Sequence, residues 1–432
     1  MIGERDGSVA VITALLLPLL VGFFALALEP AFWMQVQRGA QNAADSAVLA
    51  AAINGGAAYA AEAEAVAAQY GLVDGQNNVS IQVAENVSCP AAAGGGTTCY
   101  SVTITKTVPL LLASAVGYRG DTTLQGALAK SIVATAVSIQ GTVDRPYCIL
   151  ALAGSGAQGI RTNGAPNANL AGCNIMSNTT ATCNGHNLGA DVGDAHGSNN
   201  GCGVQTNSNQ PVVTDPYANL AANIPSNPCS SYPQEPTGKK GAPLPPTNTF
   251  SGAVAWTGAK IVCGDMQLTG DVTLNTAATG AVLVIENGQL DTNGHTIQTA
   301  SGAAVTIVFS GDNGSYTHAP TGGGTIDIAA PTSGAWSGVA IYQDPGLTSG
   351  VDISATGNSP TWDITGLVYL PHSSVTFSGA VNKSSNGASC FDLVVDNLLI
   401  NGTGSILAHG QCGAAGLAMP AGKVPGRGKL VK

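Results

Sequence analysis

The sequence predicts a mainly β protein: one N-terminal transmembrane helix, a small α+β unit, then a right-handed parallel β-helix, with a β-sandwich as the alternative. Three observations lead there. Ser8–Leu28 is an uncharged apolar run. Beyond Val143, short aliphatic runs recur between Gly, Asn, Thr and Ser with no helical patterning between them. Charged residues are only 9% of the 432, against about 25% in ordinary soluble domains.

The run Ser8–Leu28 is long enough, at about 1.5 Å per helical residue, to cross a hydrocarbon core of about 30 Å. It exceeds the apolar core of a cleaved export signal. Phe32 and Trp33 follow where interfacial aromatics belong. From Gln35 onward, Val36, Ala40, Ala43, Ala47 and Ala51 recur at steps of three or four. Such a small-residue face lets another helix approach closely and suits assembly with a partner; packing against residues 57–70 of the same chain satisfies the same pattern. Val79–Glu85 and Tyr100–Val108 alternate apolar and polar residues as strands do.

All ten cysteines, Cys89 to Cys412, follow the apolar run, so disulfides in an oxidising compartment are expected. Local candidates are Cys89 with Cys99, Cys173 with Cys183, and Cys390 with Cys412. No Cys-x-x-Cys pair exists and the histidines are scattered, so metal and cofactor sites are not expected. A net charge of −10 offers no broad cationic surface, which argues against nucleic acid as a partner.

The resulting organisation is 1–52, apolar and juxtamembrane helix; 53–143, α+β unit; 144–224, a Cys/Asn/Gly-rich β region; 225–250, a Pro-rich loop or linker; 251–420, the β-helix-like domain; and 421–432, a basic tail. In the β region, runs such as 281–286, 304–309, 364–370 and 393–400 are strand-like and too short for ordinary helices. Asn-Gly-rich bends such as 287–297 favour stacking coils over a sandwich.

Arg5-Asp6-Gly7-Ser8-Val9-Ala10-Val11, the apolar run containing Pro18, and Gln41-Asn42-Ala43-Ala44-Asp45-Ser46-Ala47 together resemble the N-terminal region of the TadG-like Flp pilus-assembly family. The resemblance implies a protein of the bacterial inner membrane with its bulk periplasmic or at the cell surface, and other pilus-assembly proteins as partners. The stretch Gly264–Pro371 is similar to β-helical C-terminal regions on some members of that family. Related pseudopilins trimmed by a peptidase carry Glu five residues after the cleaved Gly, whereas Ile12 stands five after Gly7. Glu29, about 26 Å along a helix from Ile12, reads as a hydrated carboxylate at the membrane edge. Some members carry a metal-binding Asp-x-Ser-x-Ser; Asp352-Ile353-Ser354-Ala355-Thr356 is the nearest match and reads as a β bend.

An enzyme is not expected. Between Gly241 and Pro420 only Lys260 and Lys383 could serve as cations in a uronate lyase, and the acidic residues there form no close pair in sequence. The competing class is a membrane-tethered carbohydrate-binding or hydrolysing protein with surface polysaccharide as its partner, using Trp256, Trp336, Tyr342, Trp362 and Tyr369 as stacking platforms.

Overall fold

The longest element is a helix of 49 residues, α1 (Asp6–Asn54). It belongs to a computed structural model that describes residues 6–55, 58–90, 99–154, 156, 158–236, 242–347, 352–354, 361–377, 390–402, 405–407, 412–426 and 428–431; the side chains of 6–11, 18–22, 24–26, 115–116, 352–354, 405–407 and 414–415 are outside that description. Lys383 and the Gly-rich turn at 91–98 also lie outside it. The chain divides into two units, Met1–Val143 with Pro425–Lys432, and Asp144–Val424.

In the first unit α1 stops at Gly55, whose φ of +56° reverses the backbone at no Cβ cost. A second helix, α2 (Tyr59–Gln69), follows. Four strands come next: β1 (Val79–Val87), β2 (Cys99–Pro109), β3 (Thr122–Leu124) and β4 (Ala127–Ile139). β2 pairs antiparallel with β1 on one side and β4 on the other. Ala40, Ala43, Ala44, Ala47, Val48, Ala51 and Ala52 of α1 are buried with Ala63 and Ala67 of α2 and with Val102, Ile104 and Ala134 of the sheet. Alanine on every facing surface lets two helices and a sheet meet closely.

The expected assembly face is therefore corrected. Ala40, Ala43, Ala47 and Ala51 are covered by this unit's own α2 and sheet, and Val36 is half-buried. The C-terminal residues are also not a free tail: Lys429–Val431 pairs antiparallel with β4 and forms a sheet edge.

In the second unit the strands of the large sheet pair in parallel, so an antiparallel sandwich is not formed. One ladder runs from Val284 to Val308, Tyr342, Tyr369 and Val394, each paired with the next, so a coil takes about two to three dozen residues. Val394 then pairs with Leu150, and the ladder continues through Asn174–Ser177, Val192–Ala195 and Gln205–Asn207. A second ladder joins Thr249–Val254, Met266–Leu274, Thr296–Thr299, Thr325–Ala329 and the start of Thr361–Phe377. Regions 144–224 and 251–420 are thus parts of one stack, with the earlier segment placed after the later one.

Inside the stack lie Ile149, Ile160, Leu283, Ile285, Ile307, Phe309, Ile341, Trp362, Leu393 and Val395. The alternate residues of the first ladder, Leu150, Val284, Val308, Tyr342, Tyr369 and Val394, form a second apolar layer with Val213 and Tyr217. Strands buried on both faces explain the unbroken aliphatic runs in the sequence.

The cover over that second layer starts at the end of the expected Cys/Asn/Gly-rich β region, 144–224, and runs on into the expected loop or linker, 225–250. Asn178 exchanges two hydrogen bonds with Val213, at 2.8 and 2.9 Å. Tyr342 Oη donates to the Tyr217 carbonyl at 3.0 Å, and Tyr369 Oη to Asp215 at 2.6 Å. Farther on, Asn227 donates to Glu286 at 3.1 Å, and the Glu235 N–H to Asp265 at 2.7 Å. Pro233 lies so near Gly264 that a Cβ there would meet its carbonyl oxygen at 2.1 Å. Cys229 is bonded to Cys263. Residues 208–236 form a strap from one end of the stack to the other, and 237–241 are outside the described residues.

Replacing Ala43 and Ala47 by Leu puts two isobutyl groups into a filled helix-sheet seam. Each substitution is expected to destabilise the first unit by about 1–3 kcal/mol. Thermal unfolding checks it, and an unchanged midpoint would place the alanine face outside the core.

Candidate functional site

The N-terminal half of α1 carries a succession of exposed large apolar side chains. Ile12, Leu15, Leu16, Leu17, Phe23, Leu28, Phe32 and Met34 are all exposed, Leu15 at 72%. Single exposed leucines are ordinary, but a run of this length along one helix marks an interaction surface. Among the described residues no helix is long and apolar enough to cross a membrane. The expected span rests on the complete sequence run Ser8–Leu28.

Glu29 stands at the end of that surface. It is buried, and its carboxylate accepts hydrogen bonds from the backbone N–H groups of Leu111 and Leu112 at 2.8 Å and Ala113 at 2.5 Å. The expected hydrated edge carboxylate is thus a clamp between α1 and the loop after β2. Burial alone raises the affinity of the carboxyl for its proton, but the three N–H donors together outweigh it and hold the group below its ordinary value. Nothing local in sequence marked this: the partners are 82 to 84 residues away. Beside the clamp, the Trp33 and Tyr118 rings lie 5.6 Å apart, and Lys130 Nζ lies 5.6 Å from the Trp33 ring.

The other candidates scatter. Trp336, Tyr342, Trp362 and Tyr369 are buried, and Trp256 is half-buried with its indole N–H bonded to the Val282 carbonyl at 3.1 Å. They form packing layers: Tyr342 and Tyr369 stack at 4.7 Å, and Trp336 meets Tyr342 edge-on at 5.0 Å. Asp352–Ser354 forms a strand in parallel register with Ser374–Thr376, which replaces the expected bend. Thr356 lies outside the described residues. Among the described residues no group of three or more His, Cys, Asp or Glu is placed to hold a metal ion.

Cys89 is bonded to Cys99 and Cys390 to Cys412. Cys173 and Cys183 are not bonded to each other: Cys173 joins Cys148, and Cys183 joins Cys202. The physical reason is the stack, which superposes residues one coil apart.

Folding does gather carboxyls that sequence spacing keeps apart. Glu235, near the end of the strap, is pushed up to about 8 by burial and by the charges of Asp291 and Asp265. Glu286 is pushed up to about 7 by burial and by Asp344 and Asp312. Asp265 accepts from the Glu235 and Gln289 backbone N–H groups, and Asp291 from Gln267 and the Asn293 N–H. These oxygens tie strap and bends to the stack. Asp392 differs: it is fully buried, and neither carboxyl oxygen has a hydrogen-bond partner among the described residues. The adjacent Leu393 N–H is committed to the Cys148 carbonyl at 2.9 Å. Burial holds Asp392 well above the ordinary carboxylate range, because an apolar layer penalises the charged form.

Residues 7–68 match a family model for the Tad domain, described as Flp pilus-assembly TadE/G-like. The match covers α1, α2 and the Ala-rich seam. No curated protein and no solved structure matches the chain.

Glu29→Gln keeps one acceptor but turns an NH₂ group toward backbone donors. It is expected to cost about 1–3 kcal/mol in unfolding experiments. Because the Glu29 pKa is lowered on folding, its contribution is full above the ordinary value of 4.5 and is lost as the pH falls below it. The variant's stability should therefore converge with that of the unaltered chain in acid; an equal deficit at every pH would contradict the clamp.

Asp392 has the opposite sign. Its raised pKa makes the group destabilising above 3.8, increasingly so as the pH rises toward its folded value. Asp392→Asn is expected to raise the thermal midpoint at neutral pH, with a gain that shrinks in acid. A lower midpoint at neutral pH would mean that an ionised Asp392 is stabilised.

Proposed function

We propose that this chain is a membrane-anchored envelope component of a Flp pilus assembly system. In this reading the first half of α1 crosses the bacterial inner membrane once. The α+β unit stands at the membrane surface, where other pilus-assembly proteins meet it. The cysteine-paired second unit lies on the oxidising side as a non-enzymatic scaffold or adhesive surface.

The observation that carries the reading is the Tad match over 7–68, which falls on the helix that bears the uncharged run Ser8–Leu28. Exposed Ile12, Leu15, Leu16, Leu17, Phe23 and Leu28 support the same reading, since hydrocarbon is the solvent in which such a surface is stable. Five disulfides beyond the helix fit an exported compartment. Partners are expected on exposed parts of the first unit, because the alanine face is occupied.

The second unit is read as a right-handed parallel β-helix. Its support is the two parallel ladders with one coil per step, together with the handedness of parallel crossovers, right-handed in about 98% of cases. The rival carbohydrate-binding reading loses its stacking platform, because four of its five aromatic candidates are buried.

A direct test is alkaline-carbonate washing of membranes from cells making the chain. The unaltered protein should stay in the pellet. Leu16→Arg with Phe23→Arg, each costing about 2.5–3.5 kcal/mol near a span's centre, should release it. Release of the unaltered chain would overturn the anchor.

A further inference from the structure

Pro109 ends β2, and the next four residues have their backbone donors fully engaged. The Leu110 N–H donates to the Leu128 carbonyl at 3.1 Å, and the N–H groups of Leu111, Leu112 and Ala113 all donate to Glu29. A single 3₁₀ turn, Ala113–Val116, follows and is closed by Gly117 at a φ of +90°. With the backbone pinned inward, Ala113 is buried while Leu111 is 71% exposed and Leu112 45%, and nearby Leu128 is 40% and Tyr118 38% exposed.

The placement of this patch is fixed by Glu29, which directly follows Leu28, the last residue of the uncharged run. Leu28 and Phe32 of α1 are exposed as well, so the loop's leucines extend the helix's apolar surface sideways at its end. The surrounding residue types are those of a bilayer boundary: Trp33 against Tyr118, Lys130 near the Trp33 ring, and exposed Arg119 in the same loop. Amphipathic rings and long cationic side chains sit at head-group level while their apolar parts reach the acyl chains.

We infer that the exposed side chains of this loop, Leu111, Leu112 and Tyr118, with Leu128, are a second membrane contact that enters the head-group and acyl boundary of the leaflet beside the end of the α1 span. The occupant of the patch is lipid. The inference rests on the proposed span. It adds a function for Glu29: the carboxylate ties the loop to the helix, so the bilayer is gripped at two points and α1 cannot rotate or tilt independently of the sheet.

The test uses the full chain in phospholipid nanodiscs containing lipids brominated either near the head group or near the acyl-chain ends, which quench nearby tryptophan. Three variants are compared with the unaltered chain: Leu111→Trp in the loop, Leu17→Trp in the span, and Val204→Trp, at an exposed position of the second unit, as control. Leu112→Trp stands in if Leu111→Trp alters the thermal midpoint. The expected result is loss of the added emission of Leu111→Trp with head-group bromine, and of Leu17→Trp with chain-end bromine, while Val204→Trp is unaffected. If Leu17→Trp is quenched and the loop tryptophan is no more affected than Val204→Trp, the loop contact is overturned and the span survives. If neither is quenched, both fall.

Discussion

One helix in two surroundings is the constraint on which this protein depends. α1 is continuous over 49 residues, yet its second half is sealed by alanines against α2 and a sheet, and the large apolar side chains described in its first half, Ile12, Leu15, Leu16, Leu17, Phe23 and Leu28, are exposed. A rigid helix transmits the orientation of one half to the other. The changeover falls at Glu29, a buried carboxylate that would be costly in hydrocarbon or in an apolar core and is stabilised here by three backbone donors.

The second unit meets a different problem, that of covering a parallel sheet with no helices to lay on it. Its first ladder is apolar on both faces, and one face is closed by the strap and by Leu417 and Cys412. The strap exists because the chain enters the stack in its middle: it builds outward to Gln205–Asn207, returns along the face, and builds back from Thr249 to meet Leu150. The two ends of the unit consequently lie together, with Asp144 and Lys423 paired at 3.0 Å and the Tyr147 N–H on the Pro420 carbonyl at 2.8 Å. A unit whose ends coincide can be inserted between β4 and the terminal strand of the first unit without breaking that sheet.

Much of this was legible in sequence because it is written in local pattern. The uncharged run, the alanine steps from Ala40 to Ala51 and the short aliphatic strands all carry their own periodicity. What was not legible depends on coil length. Cys173 sits ten residues from Cys183 and looks like its partner, but the stack pairs cysteines 25 residues apart at Cys148–Cys173 and 19 apart at Cys183–Cys202. The separations of 34 at Cys229–Cys263 and 22 at Cys390–Cys412 fall in the same range, so a coil period taken from the strands would have been the signal to use. Glu29 was misread because its partners lie more than 80 residues away in the chain; the Pro-rich segment is the loop its composition suggests, and only the face it lies on, set by partners such as Glu286, goes unreported by composition or spacing.

The central claim is an exported, membrane-held chain whose β unit is stacked in this order. The most direct measurement is a non-reducing peptide map of the protein isolated from membranes, with accessible thiols alkylated before lysis. The account predicts no alkylated cysteine and linked peptides joining Cys148 to Cys173, Cys183 to Cys202 and Cys229 to Cys263. Alkylated cysteines, or a peptide joining Cys173 to Cys183, would contradict it.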